Sequence, residues 1–280
     1  MNHPWLPLRI FIFVLLYGLT NGAFAQTPSS ATSIGNAGSG RASVEAGDIQ
    51  DLNPAMLVHL RGRDLHSALT GEGMTVGITD NSKEVMLPGA LSYQTASTNK
   101  NSVSTRSEDL KLSLAEFVSK QWSFGITGHQ MSFQRDPATY HQNNVDMGVT
   151  WIATPKLGLA VVGYDLMSPN VQVPLDLRTT TRTGFGLTYL FRDFVRFKAD
   201  VVSSSNNNFQ PASTLLGYEA SLNQFLLIRF GYGTEPEYSR ESLAAGVGLN
   251  LPRFRINYGY MATIHGDGDN RHSVDLGIPF

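Results

Sequence analysis

The chain of 280 residues contains no cysteine. That excludes disulfide frameworks, thiolate metal sites and cysteine nucleophiles, and it suits a chain that crosses an oxidising compartment unfolded. Charge is scarce as well: Asp, Glu, Lys and Arg make up 16% of the residues and the formal net charge is −2. No basic footprint for nucleic acid is present, so nucleic acid is not an expected partner. Long apolar runs are missing beyond the amino-terminal twenty-odd residues, although the mean hydropathy is −0.12. Low charge without helix-length apolar stretches suits strands that alternate an apolar and a polar face, because each then averages to a middling hydropathy. The length fits one large β domain or two ordinary ones, and nothing in the composition marks a second.

Residues 1–25 read as a cleaved signal peptide. Arg9 supplies the positive charge, Ile10 to Leu19 the apolar core, and Ala23-Phe24-Ala25 a small-x-small cleavage site. The core falls short of the ~20 apolar residues that a spanning helix needs. Without a cysteine at the cleavage site, a lipoprotein is excluded. Residues 26–62 differ from everything after them: they are small, rich in Gly, Ala and Ser, and free of strand-like alternation. Composition alone would make them a linker. They also carry Gly35, Ala37, Gly38 and Ala42, followed by Asn53-Pro54-Ala55, where Asn opens a turn and Pro holds φ near −65°.

From residue 63 to 280 the pattern is a succession of hairpins. Strands are expected at 63–70, 73–79, 85–96, 107–118, 122–133, 142–153, 157–166, 180–191, 194–204, 213–222, 225–235, 242–250, 254–264 and 271–280. Most approach the 9–11 residues of a tilted membrane-spanning strand. The last hairpin is typical: Phe254, Ile256, Tyr258 and Tyr260 alternate with Arg255, Asn257 and Gly259, then Val274, Leu276, Ile278 and Phe280 alternate with Ser273, Asp275 and Gly277. Short turns at Ser119–Gln121, Thr154–Lys156, Arg192–Asp193, Asn223–Gln224 and Leu251–Arg253 alternate with longer polar connections at 97–106, 134–141, 167–179, 205–212, 236–241 and 265–270. Short turns on one rim and long loops on the other mark an outer-membrane barrel. The expected fold is therefore all-β, an antiparallel transmembrane β-barrel of about fourteen strands. Twelve follow from the pattern directly; the pair at 63–79 fits either the barrel or the amino-terminal segment, because its tight Gly71-Glu72 turn falls on the long-loop rim.

The polar faces of these strands carry Lys111, Asp146, Arg196, Lys198, Asp200, Glu219, Arg229, Arg255 and Asp275, and His129 shares the inward register. They form either a ligand path or a network of ion pairs filling a narrow barrel. Trp122, Trp151, Tyr189, Tyr258 and Tyr260 fit the lipid-facing surface and its aromatic girdles. Asp267-Gly268-Asp269-Asn270 lacks the spacing and bidentate Glu of an EF-hand and reads as a plain turn. Phosphate-loop and His-Glu-x-x-His motifs are missing and no Ser–His–acid set is nominated by spacing, so neither catalytic residues, metal nor cofactor are expected.

The segment 26–62, with Gly35, Ala37, Gly38, Asn53, Pro54 and Ala55, resembles the amino-terminal region of FadL-type transporters and PorV-like barrels. Their Gly/Ala-rich stretch and Asn-Pro-Ala turn precede the first strand. The resemblance implies a plug or hatch inside the barrel, in the bacterial outer membrane. FadL likeness implies passive uptake of small hydrophobic molecules; PorV likeness implies a barrel that holds or hands over partner proteins. The aromatic carboxy-terminal strand resembles the closing strand of outer-membrane barrels, which implies recognition by the barrel-assembly machinery through Phe280. The implied partners are outer-membrane lipid, that machinery and a small hydrophobic ligand.

Overall fold

The structure, a computed structural model, describes residues 30–45, 47–100, 103–205, 212–266, 268 and 270–280. The expected signal peptide and two residues of the 267–270 turn lie outside the described residues.

The chain forms one closed antiparallel barrel of fourteen strands: β1 (Gly62–Thr70), β2 (Gly73–Asn81), β3 (Gly89–Lys100), β4 (Val103–Phe117), β5 (Trp122–Arg135), β6 (Ala138–Thr154), β7 (Leu157–Tyr164), β8 (Arg182–Phe191), β9 (Val195–Ser204), β10 (Ser213–Ser221), β11 (Leu226–Glu235), β12 (Arg240–Asn250), β13 (Arg255–His265) and β14 (Arg271–Pro279). Each strand pairs with its sequence neighbours, and β1 closes on β14 from Asp64↔Pro279 to Thr70↔Ser273. Closure leaves no free sheet edge, which is what permits a sheet to stand in a bilayer core. The pair 63–79 thus belongs to the wall.

Period-2 alternation sorts the residues as the sequence pattern demands. On β14, Val274, Leu276 and Ile278 are exposed on the outside while Ser273 and Asp275 are buried inside. The same split puts Leu112, Phe124, Leu187, Phe230 and Tyr258 on an apolar exterior suited to lipid. Trp122 and Trp151 are cross-strand partners at the short-turn rim and stack outside the wall, 5.5 Å between centroids. Tyr189, Phe191 and Phe254 stand exposed near the same rim. An aromatic girdle results, with amphipathic rings at the depth where lipid meets water.

The structure departs from the sequence pattern at three connections. The expected polar loops 97–106 and 134–141 are mostly strand: β3 and β4 stay paired to Lys100↔Val103, and β5 and β6 to Arg135↔Ala138. These hairpin ends rise past the apolar belt, so they lack the lipid-facing alternation by which a spanning strand is read. The link Ser82–Pro88 on the short-turn rim is longer than anticipated, because β3 begins only after Pro88, which has no N–H for the ladder. The chain's final ladder pair is Asp64↔Pro279, and the Phe280 N–H donates to the Arg63 carbonyl at 3.1 Å.

Candidate functional site: a segment threaded through the barrel

Residues 30–60 run through the interior, and nearly all of them are buried. The path consists of a short helix (Ala31–Gly35), a turn-rich stretch, a second short helix (Ile49–Leu52) and a 3₁₀ helix (Pro54–His59) that leads into β1. Asn53 starts the 3₁₀ helix: its Oδ1 accepts from the Ala55 N–H at 3.0 Å, and Pro54 sits at the first helical position, where its missing N–H costs nothing.

The segment fits because small residues meet small residues. A side chain at Gly125 would collide with the Pro54–Ala55 backbone, one at Gly231 with Asn36–Ala37, and one at Gly259 with Ala31. Gly148 faces Asn53, and Gly246 faces Gly35. Wall glycines therefore form the bed on which the segment lies, and the backbone approach they allow is closer than any Cβ would permit. Gly35, Ala37, Gly38, Asn53, Pro54 and Ala55 all lie inside the barrel in this stretch, Ala37 and Gly38 with left-handed φ of 51° and 80°.

Polar side chains of the wall hold the segment. Asp275 takes the N-terminal amides of the first helix, with Ala31 N–H donating at 2.7 Å and Thr32 N–H at 3.3 Å, and Ser273 Oγ supports the carboxylate at 3.0 Å. Asp200 Oδ2 accepts from the Gly40 and Arg41 amides at 2.8 and 3.0 Å and pairs with the Arg41 guanidinium at 3.0 Å. That guanidinium also lies 5.5 Å from the centre of the Tyr164 ring, whose hydroxyl donates to the Leu52 carbonyl at 2.6 Å. Lys198 binds Glu45 at 2.5 Å, and Lys111 binds Asp51 and Asp109. Gln50 donates to Ser113 Oγ at 2.8 Å, and Asn53 to Thr150 Oγ1 at 2.8 Å.

All nine inward charges expected from the sequence point into the lumen and find partners there. Five of them, Lys111, Lys198, Asp200, Asp275 and, through its contact with Lys198, Glu219, tie into the segment's anchorage. The rest bond along the wall: Arg196 and Arg229 to Glu219 at 2.8 Å each, Arg255 to Asp64 at 2.5 Å, and Asp146 to the Asp165 N–H at 2.8 Å. Arg41, Glu45, Gln50 and Asp51, the segment's own contributors, escaped the sequence reading. Their signal was available, since charged and long amide side chains are out of place in a small-residue linker. His59 ends the segment with its ring edge-on to Phe117 at 5.1 Å, and burial holds its imidazole below the ordinary value.

Two cavities flank the segment. One, about 240 Å³, opens at the long-loop rim between Thr70–Thr75, Gln94–Ala96 and Asn270–His272, with Met131, Phe133 and Leu177 at its side and Ile34, Asp51 and Lys111 at its floor. The other, about 280 Å³, lies toward the short-turn rim among Glu45, His66, Arg196, Glu219, Arg229 and Arg255. The first mixes apolar and polar walls; the second is mainly charged.

A fourteen-strand transmembrane β-barrel with its amino-terminal segment lying in the lumen is the class that this architecture defines. No protein-family model matches the sequence, and no curated protein matches it significantly. Solved structures do match in fold. The chain is similar to the CymD monoaromatic hydrocarbon channel at 13% identity and a TM-score of 0.67, over 92% of this chain and 99% of that one. It is similar to a Pseudomonas aeruginosa FadL homologue at 10% identity and a TM-score of 0.69, over 90% and 98% of the two chains. The Pseudomonas putida toluene transporter TodX matches at 11% identity and 0.64, over 92% and 97%. The fold is that of the FadL-type barrels.

Proposed function

We propose that the protein is a passive outer-membrane channel for small hydrophobic molecules, closed by residues 26–62 acting as a plug. The observation that carries the reading is the placement of the 30–60 segment between an outer cavity flanked by Met131, Phe133 and Leu177 and an inner one at the opposite rim. Two chambers with one removable partition describe a gated path. The outer chamber fits an apolar molecule of modest size against the side formed by Met131, Phe133 and Leu177, with the charges of Glu72, Glu108, Asp109 and Arg271 elsewhere in its lining. The fold neighbours support a ligand class: TodX is a toluene transporter and CymD a monoaromatic hydrocarbon channel. We further propose that Phe280, exposed at the end of β14, is the contact by which the assembly machinery recognises the chain.

Liposome swelling and uptake of a monoaromatic hydrocarbon, measured on refolded protein with and without residues 26–62, test the proposal. Deletion is expected to raise swelling by small solutes sharply, and the intact protein is expected to take up the hydrocarbon. A barrel that passes nothing in either form would be a sealed one, and the channel reading would give way to a partner-binding role.

A further inference from the structure

We propose that His129, Asp146 and Asp165 form a binding site for a single divalent transition-metal ion of the Zn²⁺ class. The three side chains come from β5, β6 and the first residue after β7, and their ligand atoms lie within 4.8 Å of one another. They are 9%, 1% and 5% exposed, so water does not solvate them freely. Yet both ring nitrogens of His129, Oδ2 of Asp146 and Oδ1 of Asp165 are buried without a hydrogen-bond partner. The other carboxylate oxygens are occupied: Asp146 Oδ1 accepts the Asp165 amide, and Asp165 Oδ2 faces Arg182 at 3.3 Å. Unpartnered carboxylate oxygens and an unpartnered imidazole gathered in one buried corner are costly unless a positive centre joins them.

The spacing fits an ion better than a direct bond. His129 Nε2 stands 3.5 Å from Asp146 Oδ1, the oxygen that also accepts the Asp165 amide, and 3.8 Å from the unpartnered Asp165 Oδ1. An N–H···O bond would be about 2.7–3.2 Å. Two ligands each ~2.1 Å from a tetrahedral metal are separated by about 3.4 Å. On the far side of the ring, Nδ1 lies 3.4 Å from Asp109, the usual place of the carboxylate that orients a metal-bound imidazole. Charge agrees. With the His129 imidazole neutral, as a metal ligand must be, Asp51, Asp109, Asp146 and Asp165 surround this corner against Lys111 and Arg182, which leaves two negative charges for a divalent ion to neutralise. A donor set of one imidazole and two carboxylates suits Zn²⁺ or Co²⁺ and leaves a position for water. Asp109 also lines the outer cavity, which gives an entry route. The ion would fasten the start of the 165–181 connection, whose Val173 and Leu177 pack on Met131 and Phe133 beside that cavity.

The test uses the refolded protein in detergent, stripped with a chelator and titrated with Co²⁺. One equivalent is expected to bind with the visible d–d absorption of a low-coordinate nitrogen–oxygen site, and Zn²⁺ is expected to displace it. His129→Ala and Asp165→Asn should abolish the band, Asp109→Asn should weaken binding roughly 10–100-fold, and Glu84→Gln, remote on the opposite rim, should leave it unchanged. Heat-modified gel mobility shows which variants fold. Failure of the unmodified protein to bind Co²⁺ stoichiometrically overturns the site whatever the variants do. So does a band that survives both ligand substitutions. Either result would leave His129 as a cation bridging Asp109 and Asp146.

Discussion

At the scale of single residues, the interior is governed by the cost of burying charge. Asp200 and Arg41 are essentially inaccessible: Asp200 Oδ2 takes the Arg41 guanidinium and two backbone amides of the segment, and the guanidinium also donates to the Gly38 carbonyl. A buried pair of this kind contributes little compared with a well-packed apolar substitute, but removing one member leaves the other uncompensated, at about 3–5 kcal/mol. Asp200→Asn is therefore expected to weaken the hold on the segment near the low end of that range, because Asn still accepts one amide. In hydrogen exchange, the amides of residues 36–43 should exchange roughly a hundredfold faster, while the strands remain protected. Adding Arg41→Met should restore most of the protection. Unchanged exchange in the single variant would mean that the wall glycines alone, and not this ion pair, seat the segment.

At the scale of elements, legibility followed lipid contact. Strands such as β5, β8 and β13 could be read because one face must be apolar, so alternation is written into the sequence. The rising ends of β3 to β6 contact no lipid, carry polar residues on both faces, and so were read as loops. The place of β1 and β2 was undecided for a different reason: their tight Gly71-Glu72 turn falls on the long-loop rim, and the pairing of β1 with β14 that puts them in the wall is a property of the whole closed sheet. Inward charges were visible from register, but their partners were not, since pairing depends on how an aperiodic segment lies against fourteen strands. The 3₁₀ helix Pro54–His59 allows a prediction at this scale. Burial depresses the His59 imidazole, so the folded state binds its proton less readily than the unfolded chain, whose value is about 6.5. The contribution is present above that pH and is lost as pH falls below it toward the depressed value. Protection factors at residues 54–60, corrected for the intrinsic pH dependence of amide exchange, are expected to fall as pH drops below about 6.5, and His59→Gln to flatten the dependence. A profile equally steep in the Gln variant would place the titrating group elsewhere.

At the scale of the molecule, the lack of cysteine turns the central question into a clean experiment. The barrel is a closed wall with the segment lying in its lumen, so a path through it must come from movement of the segment or from a gap in the wall. Ala37 lies on the segment, and a Cβ built on Gly233 in β11 would stand 3.7 Å from its own, close to the ~3.8 Å of a disulfide. The nearest obstacles at Gly233 are the ends of Ser242 and Leu215, side chains that can turn aside. With no other thiol present, the Ala37→Cys, Gly233→Cys double variant can form only one intramolecular bridge. Refolded in vesicles and oxidised, with bridge formation read from the mass of the intact chain, it should stop taking up hydrocarbon, and a reductant should restore uptake to the level of the single variants. Uptake that continues through a fully bridged protein would mean that the segment is a fixed part of the lumen and that the molecule leaves by a gap in the wall. The partition between the two cavities would then be structural, and the search for the gate would move to the strands themselves.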